Sequence, residues 1–243
     1  MSTSLMLSTI YQKPVDMVRI FIGYDNVETV AWHVLSHSIF ARASLPVSIT
    51  PLNLRNLGRY FNRARDPKQS NDFSFTRFLV PYLCGYQGWA IFMDCDMLCR
   101  DDIAKLWCLR DPDYQVSVVK NEHIVLPGKE TKYLGRVQTR YERKNWSSLM
   151  LFNNAACDKL TVDYVSTAHG LDLHQLKWAD EPRIGPLPRS WNHLVGVNEP
   201  NKDAQLVHYT LGGPWFTETA DCEFAPHWHK ELDRMLACDQ TRI

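Results

Sequence analysis

Three features are missing from this sequence: an apolar run long enough to cross a membrane, an excess of one charge, and a regular spacing of cysteines. A membrane-spanning helix needs about 20 consecutive apolar residues, and no stretch of the 243 residues approaches that length. Residues 1–16 are rich in serine and threonine, without the basic start and apolar run of a signal peptide. We therefore expect no transmembrane segment, a flexible extension over residues 1–17, and a single domain over residues 18–243.

The charge balance and the cysteines exclude further classes of protein. Lysine plus arginine and aspartate plus glutamate number 27 each, so the formal net charge is zero. A surface that binds a nucleic-acid duplex usually carries an excess of basic residues, so no nucleic-acid partner is expected. The seven cysteines include no Cys-x-x-Cys pair. That pattern favours reduced thiols in a cytoplasmic protein over a disulfide framework or a zinc site.

Apolar strands alternate with helical segments along the chain. The predicted strands cover residues 18–23, 46–54, 89–93, 115–119, 149–152 and 205–209. The predicted helices cover residues 26–43, capped by Asn26, and 75–84, with another helix ending near residue 169. This alternation predicts an α/β fold with a Rossmann-like, mixed and mostly parallel sheet flanked by helices. Ligands of such sheets bind beyond the carboxyl ends of the strands, which places Asp25, Asp94 and Asp96 on one edge.

Asp94 and Asp96 follow the clearest buried strand, residues 89–93. Two carboxylates one residue apart can converge on one hard cation, and Mg²⁺ and Mn²⁺ prefer oxygen ligands. The ion then bridges to phosphate oxygens of a substrate. Asp-x-Asp also serves as a turn or a helix cap, and the nearby Asp101 and Asp102 fit that simpler role.

His208 is a candidate for a third ligand. It ends an apolar strand just before the pair Gly212 and Gly213, which lets the backbone approach a ligand closely. A lone histidine on a strand is also often a hydrogen-bonded core residue, and both interpretations stay open at this point.

Several motifs together resemble the retaining glycosyltransferases of family 8, which include glycogenin and the bacterial lipopolysaccharide galactosyltransferases. The similarity covers roughly residues 18 to 216, in the family's order. The matching segments are Phe75-Thr76-Arg77-Phe78-Leu79-Val80-Pro81-Tyr82-Leu83, Trp89 to Asp96, Ser147 to Asn153, and His208-Tyr209 with Pro214-Trp215.

The resemblance implies a GT-A fold and a nucleotide-sugar donor, expected to be a UDP-sugar, with Mn²⁺ (or Mg²⁺) held by Asp94, Asp96 and His208. It implies a glycan, a glycolipid or a protein as acceptor, and retention of anomeric configuration. The residues expected to bind the donor and its metal are Gly23, Tyr24, Asp25, Arg77, Asp94, Cys95, Asp96, Ser148, Asn153, Asp180, Asn192, His208 and Gly213. Asp180 is also the one candidate for a catalytic nucleophile.

Two positions depart from the family pattern. Gly213 stands where the family has a lysine that binds the pyrophosphate, and Pro182 follows Asp180-Glu181 in place of a helical continuation. Basic residues in the segment 121–144 are the candidates for the missing cation: Arg136, Arg140, Arg143 and Lys144. The alternatives are a nucleotidyltransferase, although Gly23-Tyr24-Asp25-Asn26 is not a basic glycine-rich phosphate loop, and a non-catalytic module that binds sugars or nucleotides.

Overall fold

The computed structural model describes residues 16–65, 69, 71–121 and 142–237. Residues 1–15 of the predicted extension lie outside this range. The strands are β1 Val18–Gly23, β2 Val47–Leu52, β3 Trp89–Met93, β4 Met97–Cys99, β5 Val116–Val118, β6 Leu149–Asn153, β7 Ile184–Pro186, β8 His193–Leu194 and β9 Leu206–His208. The helices are α1 Thr29–Phe40, α2 Leu54–Leu57, α3 Val80–Leu83, α4 Ile103–Trp107, α5 Val162–Thr167, α6 Gly170–His174 and α7 Ala225–Leu236.

The main sheet has six strands in the order β2-β1-β3-β6-β5-β7. Strand β6 runs antiparallel to both of its neighbours, and the other five strands share one direction. This confirms the predicted mixed, mostly parallel sheet. We call the edge where the five parallel strands end the carboxyl edge, and the opposite one the amino edge.

A second, three-stranded sheet has the order β4-β9-β8. Strand β4 follows β3 after a bend, and it pairs antiparallel with β9, so that Met97 lies opposite His208. The sequence analysis predicted neither β4, β7 nor β8. Each has only two or three residues, too few to show a hydrophobic period.

The core forms where the central strands are covered on both faces. Strands β1, β3 and β6 are almost fully buried, as expected for a sheet with helices on both sides. A smaller apolar cluster around Trp228 packs α7 against the rest of the chain. Glu231 of α7 binds His37 (2.7 Å) and Arg42 (2.6 Å) of the α1 region.

In the described residues no helix has the length and apolarity to cross a membrane.

The predicted cap of the first helix was wrong. Asp25, not Asn26, accepts the N–H of Val27 (2.9 Å) and starts a short 3-10 turn over Asn26–Glu28. Helix α1 therefore begins only at Thr29. An aspartate that bonds the backbone two residues on favours a turn over an immediate helix. The helix predicted for residues 75–84 likewise begins as a 3-10 turn.

Candidate functional site

Three potential ligands converge at the carboxyl edge: Asp94 and Asp96 after β3, and His208 at the end of β9. One donor atom from each lies within 4.8 Å of the others. His208 Nε2 is 3.3 Å from Asp96 Oδ1 and 4.0 Å from Asp94 Oδ2. Adjacent ligand atoms of an octahedral divalent cation are about 3 Å apart. The spacing and the donor types, two carboxylates and an imidazole, therefore fit such an ion.

Backbone hydrogen bonds between distant segments hold these ligands in place. The N–H of Asp94 donates to the carbonyl of Ser148 (2.9 Å), at the start of β6. The N–H of Tyr209 donates to the carbonyl of Asp96 (2.8 Å), and the pairing of β4 with β9 brings His208 beside it. The site thus depends on the junction of the two sheets.

Arg77 lies directly behind Asp94. Its Nη1 is 2.8 Å from Asp94 Oδ1 and donates to the carbonyl of Ser147 at 2.8 Å. The guanidinium carbon stands 4.9 Å from the centroid of the Phe92 ring, and Arg77 is only 4% exposed. A pairing this deeply buried is not a surface ion pair, and it fixes the orientation of the Asp94 carboxylate.

His208 contacts a buried amide on its other side. Its Nδ1 is 3.0 Å from Asn192 Oδ1, and Asn192 Nδ2 donates to Ser148 Oγ at 2.9 Å. Ser148 Oγ in turn donates to the carbonyl of Asn145 at 2.6 Å. Asn192 and Ser148, which the resemblance assigns to the donor site, therefore reach that site through His208.

The segment Gly23–Asp25 ends β1 at the same edge, one strand away from Asp94. Asp25 is buried and accepts the N–H of Asp72 at 3.2 Å. A Cβ atom on Gly23 would lie 2.2 Å from the Phe73 ring, so only glycine fits there. The structure thus brings this segment to the carboxyl edge, and its contact with uridine stays a prediction.

Gly213 lies against the indole of Trp215. A Cβ atom built on Gly213 would come within 2.1 Å of that ring, a distance at which one group must move. Trp215 is packed in turn on Tyr209 and Trp228, with ring centroids 5.6 Å and 5.3 Å away. The indole therefore occupies the space that a lysine side chain at position 213 would enter.

Asp180 and Asn153 are not brought to the carboxyl edge. The N–H of Asp180 donates to Gln115 Oε1 (2.7 Å), and Gln115 directly precedes β5, at the amino edge. Asn153 pairs with Trp89, the first residue of β3. Four strand residues, about 13 Å, separate Trp89 from the end of β3. The prediction that these two residues join Asp94 around the donor is not supported, because adjacency along the sequence does not reveal which end of a strand a residue reaches.

Of the four basic candidates, Arg136 and Arg140 lie outside the described residues. Arg143 donates to the carbonyl of Gln175 (3.0 Å) and pairs with Glu181 Oε2 (2.6 Å). Lys144 is buried, at 7% exposure, and directly precedes Asn145. Arg143 and Asn145 both have left-handed backbone, with φ of 59° and 66°. Such strain in residues other than glycine is often kept at functional sites.

Cys95, between the two aspartates, is fully buried. Its Sγ lies 4.0 Å from Glu28 Oε2, and burial, reinforced by the negative charge of Glu28, raises the pKa of the thiol well above its usual value. Cys95 is therefore a neutral packing residue, so its predicted contact with the donor gains no support.

Sequence reasoning missed His174 and Ser147. His174 Nδ1 lies 2.9 Å from Ser147 Oγ, and the ring packs on Phe75 and Phe78. Burial, together with the nearby charge of Arg77, lowers the pKa of His174 to about 3. No spacing in the sequence points to this neutral histidine, because α6 and the turn that precedes β6 meet only in the folded chain.

A mixed sheet with an Asp-x-Asp pair at the end of a central strand defines the GT-A class of glycosyltransferases, and solved structures with this fold are similar to the chain. WbbM, a bifunctional glycosyltransferase, has a TM-score of 0.64 and 16% identity over 91% of this chain and 50% of its own. The galactosyltransferase LgtC, solved with donor and acceptor sugar analogues, has a TM-score of 0.59 and 11% identity over 92% and 98%. Mouse xyloside xylosyltransferase 1 has a TM-score of 0.53 and 10% identity over 80% and 98%. The chain thus spans half the length of WbbM.

Two closer similarities identify the family. The model of glycosyl transferase family 8 matches residues 18–158. Protein CDI of Arabidopsis thaliana is 44% identical over 225 residues, which cover 88% of this chain and 86% of that protein. The chain therefore belongs to glycosyltransferase family 8. The resemblance stated from the motifs is confirmed, and the nucleotidyltransferase alternative is wrong.

Proposed function

We propose that the protein transfers a sugar from a UDP-sugar to an acceptor hydroxyl, with retention of anomeric configuration and with a divalent cation, Mn²⁺ or Mg²⁺. The observation that carries the proposal is the convergence of Asp94, Asp96 and His208 at the carboxyl edge. Open α/β sheets bind their ligands at this edge, and the three side chains match the ligand preferences of such ions.

Each end of the donor is assigned to a different part of this edge. Asp94, Asp96 and His208 hold the metal ion, which when bound supplies a Lewis acid for the charge on the diphosphate. The segment Gly23–Asp25, on the adjacent strand, binds the uridine. Arg77 supports the site by fixing the Asp94 carboxylate.

The transfer breaks the bond between the anomeric carbon and the diphosphate oxygen. The acceptor oxygen attacks the same carbon from the side of the leaving group, and its proton passes to the departing diphosphate. No covalent nucleophile on the protein is required. Asp180 is not proposed for that role, because its backbone is anchored beside Gln115 at the amino edge.

Lys144 is the residue we propose to neutralise the leaving diphosphate in place of the family lysine. Two observations support it: the indole of Trp215 fills the space beside Gly213, and Lys144 directly precedes Asn145, whose carbonyl accepts from Ser148 and Asn192 beside His208. A fixed cation that faces developing negative charge in a water-poor site lowers the barrier substantially.

The donor and acceptor are proposed as classes. The names of LgtC and the mouse enzyme specify galactosyl and xylosyl transfer, so we propose a UDP-hexose or a UDP-pentose as donor. The acceptor is a hydroxyl of a glycan, a glycolipid or a protein. We propose a cytoplasmic location, supported by free thiols at every cysteine of the described residues.

Purified protein incubated with Mn²⁺ and a panel of sugar nucleotides tests the proposal. We expect slow hydrolysis of one UDP-sugar, loss of that hydrolysis on chelation of the metal, and loss in Asp96→Asn. Asp101→Asn is the matched control, since Asp101 is a carboxylate that binds Lys105 and Gln205 away from the three ligands.

The other outcomes separate the alternatives. A donor that raises the melting temperature without hydrolysis or transfer to any acceptor class would indicate a binding module. Hydrolysis that persists unchanged after chelation and in Asp96→Asn would overturn the metal-dependent mechanism.

A further inference from the structure

A chain of hydrogen bonds runs from His208 through Asn192 and Ser148 to the carbonyl of Asn145. The Asn145 carbonyl determines which group donates in each bond. The carbonyl oxygen of Asn145 can only accept. Because Ser148 Oγ lies 2.6 Å from it, the Ser148 hydroxyl must point its hydrogen there. The same Oγ atom, which has no second hydrogen, must then accept from its next neighbour, the side-chain amide of Asn192 at 2.9 Å.

This requirement orients the Asn192 amide. Its NH₂ group faces Ser148, and a second contact to the carbonyl of Asn145 at 3.4 Å agrees with that placement. The carbonyl Oδ1 consequently faces His208 Nδ1 at 3.0 Å. Since Oδ1 can only accept, His208 must carry a hydrogen on Nδ1.

We infer that Asn192 is a positioning residue that fixes His208 in its Nδ1–H form, with Ser148 as the residue that fixes Asn192. The Nε2 lone pair of His208 then points toward Asp96 and Asp94, at 3.3 Å and 4.0 Å. A neutral imidazole binds a metal through such a lone pair, while its other nitrogen donates to an acceptor behind it. The inference rests on the proposed metal site.

Burial makes this chain of bonds effective. Asn192 is 0% exposed, and Ser148 and His208 are each 2% exposed. Water therefore cannot replace a lost partner from the bulk solvent, and a reversed amide would set an N–H against an N–H. The sequence analysis assigned Asn192 and Ser148 to the donor, whereas the geometry gives them a role through His208.

The first test measures the tautomer without any metal. In ¹⁵N NMR spectra of the wild-type protein, under conditions where the imidazole is neutral, we expect the hydrogen of His208 on Nδ1. In Asn192→Leu we expect a mixture of the two tautomers. A wild-type His208 with its hydrogen on Nε2 would overturn the inference, whether or not the protein binds a metal or transfers a sugar.

The second test measures Mn²⁺ affinity by titration followed by electron paramagnetic resonance. Asn192→Leu should weaken Mn²⁺ binding by about 10–100-fold, the usual effect of removing such a partner. Asn192→Asp, which keeps an acceptor for Nδ1–H, should restore affinity to within a few-fold of wild type. Asn154→Leu is the control for the loss of a buried amide, since Asn154 is also 0% exposed but bonds Gln87 at the amino edge.

The third test isolates Ser148. Ser148→Ala leaves the Asn192 amide only its longer contact to Asn145, so Mn²⁺ affinity should fall by about 5-fold, below the range for complete loss of the partner. In the Asn192→Asp background the same change should have no effect, because a carboxylate has no donor end to turn toward His208. Equal losses in both backgrounds would refute the role of Ser148.

The failures of the two proposals are distinguishable. If wild-type protein binds no Mn²⁺ but shows the Nδ1–H tautomer, the metal-dependent function fails and the orienting role of Asn192 survives. If wild-type protein binds Mn²⁺, and Asn192→Leu binds it equally well with an unchanged melting temperature, the positioning role fails and the proposed function survives.

Discussion

At the metal end of the proposed donor site, Asp94, Asp96 and His208 are each held by a neighbour from another part of the chain, whereas at the diphosphate end Gly213 offers no side chain at all. Arg77 holds Asp94, Tyr209 N–H holds the backbone of Asp96, and Asn192 holds His208. At the diphosphate end, the indole of Trp215 fills the space beside Gly213.

The two ends differ in how strictly their function fixes the positions of side chains. A metal ion requires several ligands at fixed distances, so each ligand depends on supporting contacts. Neutralising a diphosphate requires only a positive charge in range, and that charge can come from another segment. We therefore expect substitutions at the metal end to be severe and those around Gly213 to be governed by packing.

The largest expected effects come from replacing the two carboxylates of the metal end. The two variants should differ in stability. Asp94→Asn and Asp96→Asn should each lower the rate of sugar transfer by about 1000-fold or more, because each removes a metal ligand. Only Asp94→Asn should also lower the free energy of unfolding by about 3–5 kcal/mol, since it leaves the buried Arg77 without its carboxylate. Urea unfolding of both variants measures this, and equal stability losses would contradict the role given to Arg77.

The next effect concerns the cation at the diphosphate end. Lys144→Ala should lower kcat by about 100-fold, comparable with loss of one group that stabilises transition-state charge. Mn²⁺ affinity should stay unchanged. Lys177→Ala is the control, because Lys177 is exposed and pairs with Asp172. A normal kcat in Lys144→Ala would show that a residue other than Lys144 supplies the positive charge.

A smaller effect is expected on stability at Gly213. Gly213→Ala should lower the free energy of unfolding by about 1–3 kcal/mol, because the new methyl group collides with the Trp215 ring. Gly58→Ala should be close to neutral, since its nearest neighbour is 3.8 Å away. Thermal unfolding compares the two. Gly213→Lys should not raise the rate of transfer, and a gain would show that the indole moves aside.

The smallest effect, over the interval from pH 7 to pH 5.5, is a pH dependence next to Arg77. The pKa of His174 is about 3 in the folded chain against 6.5 for an ordinary histidine, so protonation favours the unfolded state. Stability is therefore complete above pH 6.5 and falls by about 1.4 kcal/mol per pH unit below it, until the pH approaches 3. His174→Gln should remove this component from the difference between unfolding curves at pH 7 and pH 5.5. An unchanged acid response would contradict the neutral state of His174.

Much of the fold was predictable because its main strands are long and apolar. The bounds of β1 and β3 match the predicted residues 18–23 and 89–93, since buried parallel strands read as continuous apolar runs. The short strands β4 and β8 were not predicted. They hold too few residues to show a hydrophobic period, and their pairing with β9 arises only in the folded chain.

The candidate site was predictable where its residues follow a strand. Asp94 and Asp96 could be assigned to the carboxyl edge because they directly follow β3. Asn153 ends β6 and Asp180 precedes β7, and both were misplaced because the sequence does not specify the direction in which a strand runs.

The sequence by itself determined the family, the order of the main strands along the chain and the Asp-x-Asp pair, because these depend on residues that are adjacent along the chain. The tertiary structure alone decided that Asn192 bonds His208, that Arg77 pairs with Asp94, and that Trp215 lies against Gly213. The first two contacts join segments far apart in sequence, and their distances arise only when the two sheets pack together.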